Sequence, residues 1–209
     1  MAVEKFADKD LHAFTRELAS DQGKPGGGSA IALVGALAAS LGLMVAGLTD
    51  GKPRYARYDA DIKKCLKDLE TLRVYLVHLV DEDILAFAPL AKYFAMDKSD
   101  PETASHYQAA LRLACAIPTE ILYKTTELTG YLATLAEEGC AGAVSDVGVA
   151  LCLCRAVMQS ARLTCLANSK YFDDEVYAMT VSREFEIVFA ENMPAIDKAL
   201  AKVEERLAR

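Results

Sequence analysis

Residues 22–50 read QGKPGGGSAIALVGALAASLGLMVAGLTD, and the fold follows from this stretch. A polar turn with three successive glycines, Gly26, Gly27 and Gly28, leads into Ser29, a residue type suited to capping a helix N-terminus. An apolar run then covers residues 30–48, and its only polar side chain is Ser40. Gly28, Ala32, Gly35, Ala39, Gly42 and Ala46 recur at alternating steps of four and three, which aligns every small residue on one stripe of a helix. Another backbone can approach closely along that stripe. Ile31, Val34, Leu37, Leu41, Val45 and Leu48 occupy the other faces, so the helix is apolar all round and must be enclosed by protein or by lipid.

Working outward, apolar residues keep recurring at helical spacing and no strand alternation appears, which predicts an all-α chain: a multi-helix bundle around the buried Ala/Gly-rich helix. With 209 residues, 53% of them hydrophobic, the chain can fill one sizeable core and reads as a single domain, residues 1–209. Before the glycine turn, a helix over residues 7–22 carries Leu11, Phe14 and Leu18 on one face. After the break at Lys52, Pro53 and Arg54, a long helix carries Ile62, Cys65, Leu69, Leu72, Leu76, Leu79 and Val80, and Pro89 is expected to bend or end it. Asp100 as cap and Pro101 in the first turn start the next helix, which Pro118 should kink. Residues 139–142 form a loop, Ser145 is expected to cap a second buried helix, and residues 173–209 form a charged amphipathic helix interrupted at Pro194.

Composition narrows the function. A net charge of −7 and a pI near 5.1 disfavour nucleic acid as a partner, because that binding needs clustered positive charge. Met1 is followed by Ala-Val-Glu-Lys, with neither the basic start nor the apolar core of a secretory signal, so the cytoplasm is the expected compartment. The 19-residue apolar run is long enough to span a membrane, but about half of it is Ala and Gly, which gain little from lipid, and no second run accompanies it. A soluble bundle is therefore expected, with a membrane anchor as the rival. Six cysteines lack a CxxC pair, and Cys152 and Cys154 point to different faces of a helix. They read as buried thiols of a reduced protein. His12, His78 and His106 are scattered, and neither a Walker loop, a dinucleotide fingerprint nor an HExxH pair is present, so no metal site is expected.

One residue breaks the pattern. Continuing the apolar stripe from Leu76 and Val80 by three and four residues reaches Asp83 and then Phe87, which sets a carboxylate where a core residue belongs. From spacing alone, a structural carboxylate of the triplet Asp81, Glu82, Asp83 competes with a functional one. Lys52 and Arg54 lie beside the end of the central helix, as ligand contacts or as ordinary surface cations. The glycine turn is either a flexible connection or, through exposed amides at a helix N-terminus, an anion site.

The run KPGGGSAIALVGALAASLGLMVAGLTDGKPRY resembles the opening of the formiminotetrahydrofolate cyclodeaminase and methenyltetrahydrofolate cyclohydrolase family: a PGGGS turn at residues 25–29, an Ala-rich helix, and an LTxGK segment with Leu48, Thr49, Gly51 and Lys52. DEDILAF resembles the family's DxxAF segment at Asp83, Ala86 and Phe87, and AIPTEI around Pro118 and SDVGVA at residues 145–150 also fit, so the resemblance spans nearly the whole chain. It implies an all-helical, homodimeric enzyme acting on the one-carbon group carried between N5 and N10 of tetrahydrofolate, as cyclohydrolase or as cyclodeaminase. It further implies Asp83 as the catalytic residue and Lys52, Gly26, Gly27, Gly28, Ser29 and Asn168 as substrate contacts. No metal, and no cofactor beyond the tetrahydrofolate derivative, is implied, and neither nucleic acid nor membrane is a partner. One segment departs: where members carry Asn-x-Arg-x-Asn, this chain has Thr164, Cys165, Leu166, Ala167 and Asn168, and only the last Asn is kept. Losing that arginine forfeits a bidentate anion partner, which motivates a rival of another class, a noncatalytic helical-bundle dimer that has lost folate chemistry.

Overall fold

The helical spacing is realised as six α-helices and no strand among residues 5–209, which the computed structural model describes. Residues 1–4, and with them most of the start read above for a secretory signal, lie outside the described residues. The helices are α1 (Leu11–Leu18), α2 (Gly27–Thr49), α3 (Asp59–Tyr93), α4 (Pro101–Glu138), α5 (Val144–Ser169) and α6 (Glu175–Leu207). Short 3-10 turns at Pro53–Tyr58 and Ala141–Ala143 lead into α3 and α5.

The small-residue stripe of α2 is buried throughout, from Gly28 to Ala46, and it meets the protein's own helices. At Gly35 an added Cβ would stand 3.3 Å from Leu76 of α3, and at Gly42 it would stand 3.0 Å from Leu132 of α4 and 3.1 Å from Leu69 of α3. Missing side chains let these leucines sit against the α2 backbone, a gain in dispersion contact that any larger residue would forfeit. The seven apolar positions predicted for α3 are all buried. α5 lies antiparallel beside α2: Gly27 approaches Thr164 near the end of α5, while Thr49 Oγ1 accepts the Cys140 amide at 2.8 Å just before its start.

Several local expectations need correction. α1 is only eight residues long and buries Phe14, while Leu11 is 73% exposed, too short a helix to present a full apolar face. Neither Ser29 nor Ser145 caps a helix: Gly26 and Ala143 hold those positions, and Ser29 lies inside the first turn of α2. Asp100 does cap α4, accepting the Thr103 amide at 2.8 Å. Pro89, Pro118 and Pro194 interrupt no helix; each lies inside a continuous one. Proline costs one backbone bond, and around Pro118 the helix is continuous with Cys115, Ile121 and Leu122 buried on both sides. The C-terminal carbonyls of α4 are closed by Arg206 of α6, which donates to Ala136 O at 2.7 Å and to Gly139 O at 2.5 Å, a cation at the negative end of a helix.

α2 is not enclosed on every side. Leu37, Met44 and Leu48 are each at least 43% exposed, and beside them Val149, Cys152, Ala156 and Leu163 form an exposed row on α5. The sequence expectation of one long apolar run also needs amendment, because Ala141–Ser169 matches Gly27–Thr49 in being long and apolar enough to cross a membrane.

Filling the α2 stripe is expected to be costly. Gly42→Val should lower stability by about 1–3 kcal/mol through overpacking against Leu69 and Leu132. Gly130→Ala, at an exposed α4 position with open space around it, should raise it by about 0.5–1 kcal/mol. Urea unfolding of the two variants checks both signs.

Candidate functional site

α2 begins without a side-chain cap of its own; the carboxylate that serves its N-terminus comes from α3. Asp83 Oδ2 accepts the Ser29 amide at 2.8 Å and lies 3.0 Å from the Ser29 hydroxyl, which also lies 2.9 Å from the Val80 carbonyl. The first helical bond of α2 runs from the Ala30 amide to Gly26 O, so the Ser29 amide is one of the donors that a helix start leaves open. An acceptor with negative charge suits that position. The contact is possible because residue 28 is glycine: a Cβ there would fall 1.8 Å from Asp83 Oδ1 and 2.3 Å from its Cγ.

Asp83 is partly buried, and desolvation pushes its carboxyl above the usual carboxylate range against the two Ser29 hydrogen bonds, which pull it down. It lies in the wall of a cavity of about 960 Å³, within the size range of small-molecule sites. The glycine turn, with Lys24, Gly26, Gly27 and Gly28, forms one rim. Phe87 and Ala91 of α3 and Ala114 of α4 supply apolar wall, and Leu163, Thr164 and Asn168 of α5 close the other side. Gly23, at φ +67°, turns the chain into that rim in a conformation that favours glycine. Asp81 fastens the N-terminal segment nearby by accepting the Phe6 amide at 2.7 Å, and Phe6 joins the lining.

The structure therefore gathers Asp83, Gly26, Gly27, Gly28 and Asn168 around one cavity. Ser29 is fully buried and stands behind Asp83, reaching the cavity through that carboxylate. Lys52 is elsewhere. It is exposed beyond the far end of α2, its Nζ 3.6 Å from Cys140 Sγ, and a 23-residue helix separates it from the glycine turn by roughly 34 Å at 1.5 Å per residue. Arg54 is exposed in the same region. Sequence reasoning missed Lys24 and Thr164 as lining residues. The signal for Lys24 was its place in the turn itself. For Thr164 it was the position of the first Asn in the altered segment. Leu166, which replaces the arginine of that segment, lines a separate groove with Val176 and Met179 of α6.

Because burial raises the folded-state pKa of Asp83, ionisation of this residue opposes folding as pH rises through that value. Asp83→Asn, a neutral mimic of the acid, is expected to melt no lower than the wild type at pH 7. The difference should close as pH falls toward about 4, the ordinary aspartate range. Thermal unfolding across that interval checks the sign, and a large loss of stability at pH 7 would contradict it.

A family model described as formiminotransferase-cyclodeaminase matches residues 10–187. A methenyltetrahydrofolate cyclohydrolase of Methylorubrum extorquens is 33% identical over 188 residues, covering 88% of this chain and 90% of that protein. A formimidoyltransferase-cyclodeaminase of Rattus norvegicus is 30% identical over 178 residues, and the match spans only 33% of that longer protein. Among solved structures, a formiminotetrahydrofolate cyclodeaminase of Thermotoga maritima superposes with a TM-score of 0.82 at 28% identity, covering 96% of both chains.

Proposed function

This chain belongs to the formiminotransferase-cyclodeaminase family, and from that membership and the Asp83 cavity we propose that it is a folate one-carbon enzyme acting at the carbon that bridges N5 and N10 of tetrahydrofolate. A single observation carries the reading: a partly buried carboxyl with raised proton affinity, set in the wall of a largely apolar cavity. Hydrolysis of the methenyl bridge is the leading reaction, since the relative of that name matches over nearly its whole length. The bridging methenyl group is a cation, which an ionised Asp83 stabilises while orienting water. As the water oxygen bonds to the bridging carbon, its proton passes to Asp83. As one carbon–nitrogen bond breaks, Asp83 gives that proton to the departing nitrogen, and the remaining hydroxyl proton leaves to solvent as the formyl group forms.

The second reading is the cyclodeaminase reaction, favoured by the Thermotoga maritima structure. There N10 attacks the carbon of the protonated formimino group, Asp83 takes the proton that N10 loses, and Asp83 returns it to the nitrogen that departs as ammonia. Both reactions draw on the folate, water and these side chains alone. Lys24 pairs with a carboxylate of the ligand, Gly26, Gly27 and Gly28 allow close approach at the rim, and Thr164 and Asn168 present hydrogen-bonding groups to the heterocycle.

The chain works as a homodimer that buries the open face of α2. Exposed Leu37, Met44 and Leu48, with Val149 and Leu163 of α5, form an uncharged apolar face of the kind that pairs of identical chains cover. An antiparallel pairing of α2 with its copy brings Lys52 of the partner subunit toward this cavity, which reconciles its role in folate binding with its distance along its own chain.

A spectroscopic assay following methenyltetrahydrofolate tests the reaction, by its loss in water and by its formation from the formimino compound. Asp83→Asn is expected to lower kcat by about 10²–10⁴-fold with an unchanged helical spectrum. A wild-type protein that turns over neither substrate and gains no melting temperature from folate would instead be a noncatalytic bundle. For the assembly, Leu37→Glu is expected to elute as a monomer in size-exclusion chromatography and to share the weakened folate affinity of Lys52→Ala. Full affinity in the monomer would remove the partner's lysine from the site.

A further inference from the structure

We propose that Ser29 is a positioning residue whose hydroxyl follows the charge on Asp83, donating to Oδ2 when the carboxyl is ionised and to the Val80 carbonyl when it is protonated. This inference rests on the acid–base role given to Asp83 above. Ser29 Oγ lies 3.0 Å from Asp83 Oδ2 and 2.9 Å from Val80 O, yet a hydroxyl has one hydrogen and serves one of these acceptors at a time. Its amide, 2.8 Å from the same Oδ2, is a fixed donor in either state. Ser29 is fully buried, so water does not stand in for the missing donor, and an acceptor left without one there is costly.

The arrangement assigns different work to the two carboxyl oxygens. Oδ2 is committed to Ser29, while Oδ1 packs against Gly28 and accepts no hydrogen bond among the described residues. Oδ1 is therefore the oxygen that exchanges protons with the ligand. In the ionised state Oδ2 receives the amide and the hydroxyl, which fixes the plane of the carboxylate. When a water proton moves to Oδ1, Oδ2 becomes a weaker acceptor, and the hydroxyl turns to Val80 O, whose backbone remains within α3. When Oδ1 returns the proton to the departing nitrogen, the hydroxyl turns back. No bond other than the hydroxyl hydrogen bond changes around Ser29, and the proton leaves and returns through the same oxygen. Competition from Val80 keeps the anion only partly stabilised, consistent with a carboxyl that burial holds above its ordinary range.

Few other groups compete for this titration. Lys24 is the other charged side chain lining the cavity among the described residues, and α4 and α5 present Ala114, Leu163, Thr164, Ala167 and Asn168. On α3, Asp81 is turned to the Phe6 amide and Glu82 lies 3.5 Å from His78.

The test is an infrared titration of the full-length protein without ligand, with the Asp83 carboxyl band identified by its absence in Asp83→Asn. In Ser29→Ala the ionised state loses a donor, so the midpoint is expected to move to higher pH. The acid limb of kcat/KM should move with it, and kcat should fall about tenfold, the loss of one hydrogen bond to a charged group. Ser29→Cys, close in shape but a weak donor, should fall between wild type and Ser29→Ala, and it carries the prediction if the alanine variant fails to fold. Ser29→Thr, which keeps the hydroxyl, should restore the wild-type midpoint. A midpoint unmoved in Ser29→Ala or Ser29→Cys overturns the inference. A wild-type protein without turnover defeats the folate reading instead, and leaves the infrared comparison readable.

Discussion

A carboxylate from the middle of one helix accepts the third amide of another. The contact between Asp83 and Ser29 joins α3 to the start of α2, and it does so where the chain is otherwise apolar. A helix start needs acceptors and a buried carboxylate needs donors, so each satisfies a cost imposed by the other. The balance is incomplete by construction. Two hydrogen bonds from Ser29 do not outweigh desolvation, and the carboxyl stays more basic than an exposed aspartate. A residue that only capped a helix would be better stabilised as an anion, and a worse base.

The same helix serves three surfaces with one composition. Its small-residue stripe lets Leu69, Leu76 and Leu132 approach the backbone. At the end of that stripe Gly28 admits the Asp83 carboxylate instead of a leucine, so the site is a continuation of the packing rule and not an exception to it. The opposite face is left apolar and exposed, available to a second chain. Close packing and the Asp83 contact thus both depend on the 23 residues of α2.

How much of this was legible beforehand depended on the range of the interactions. Asp83 announced itself because a charged residue on a buried stripe violates a periodicity that seven neighbours obey. The cap at Asp100 was equally local, since its partner is the Thr103 amide three residues away. Ser29 also read as a local cap, but its partner lies 54 residues along the chain, and no short-range rule signals that. Pro194 misled for a related reason: its local cost is real, but the helix continues through it.

The sequence by itself determined an all-helical chain, the closely packed stripe of α2 and the carboxylate out of place on α3, because each is a matter of spacing along one helix. Only the tertiary structure decided what those features meet. It set Asp83 against Ser29, drew Lys24 and Thr164 to the cavity rim, turned Leu166 into a different groove, and separated Lys52 from the cavity by the length of α2. These are contacts between helices distant in sequence, fixed by how their surfaces interlock, and a helical period records which side a residue faces without recording what stands opposite.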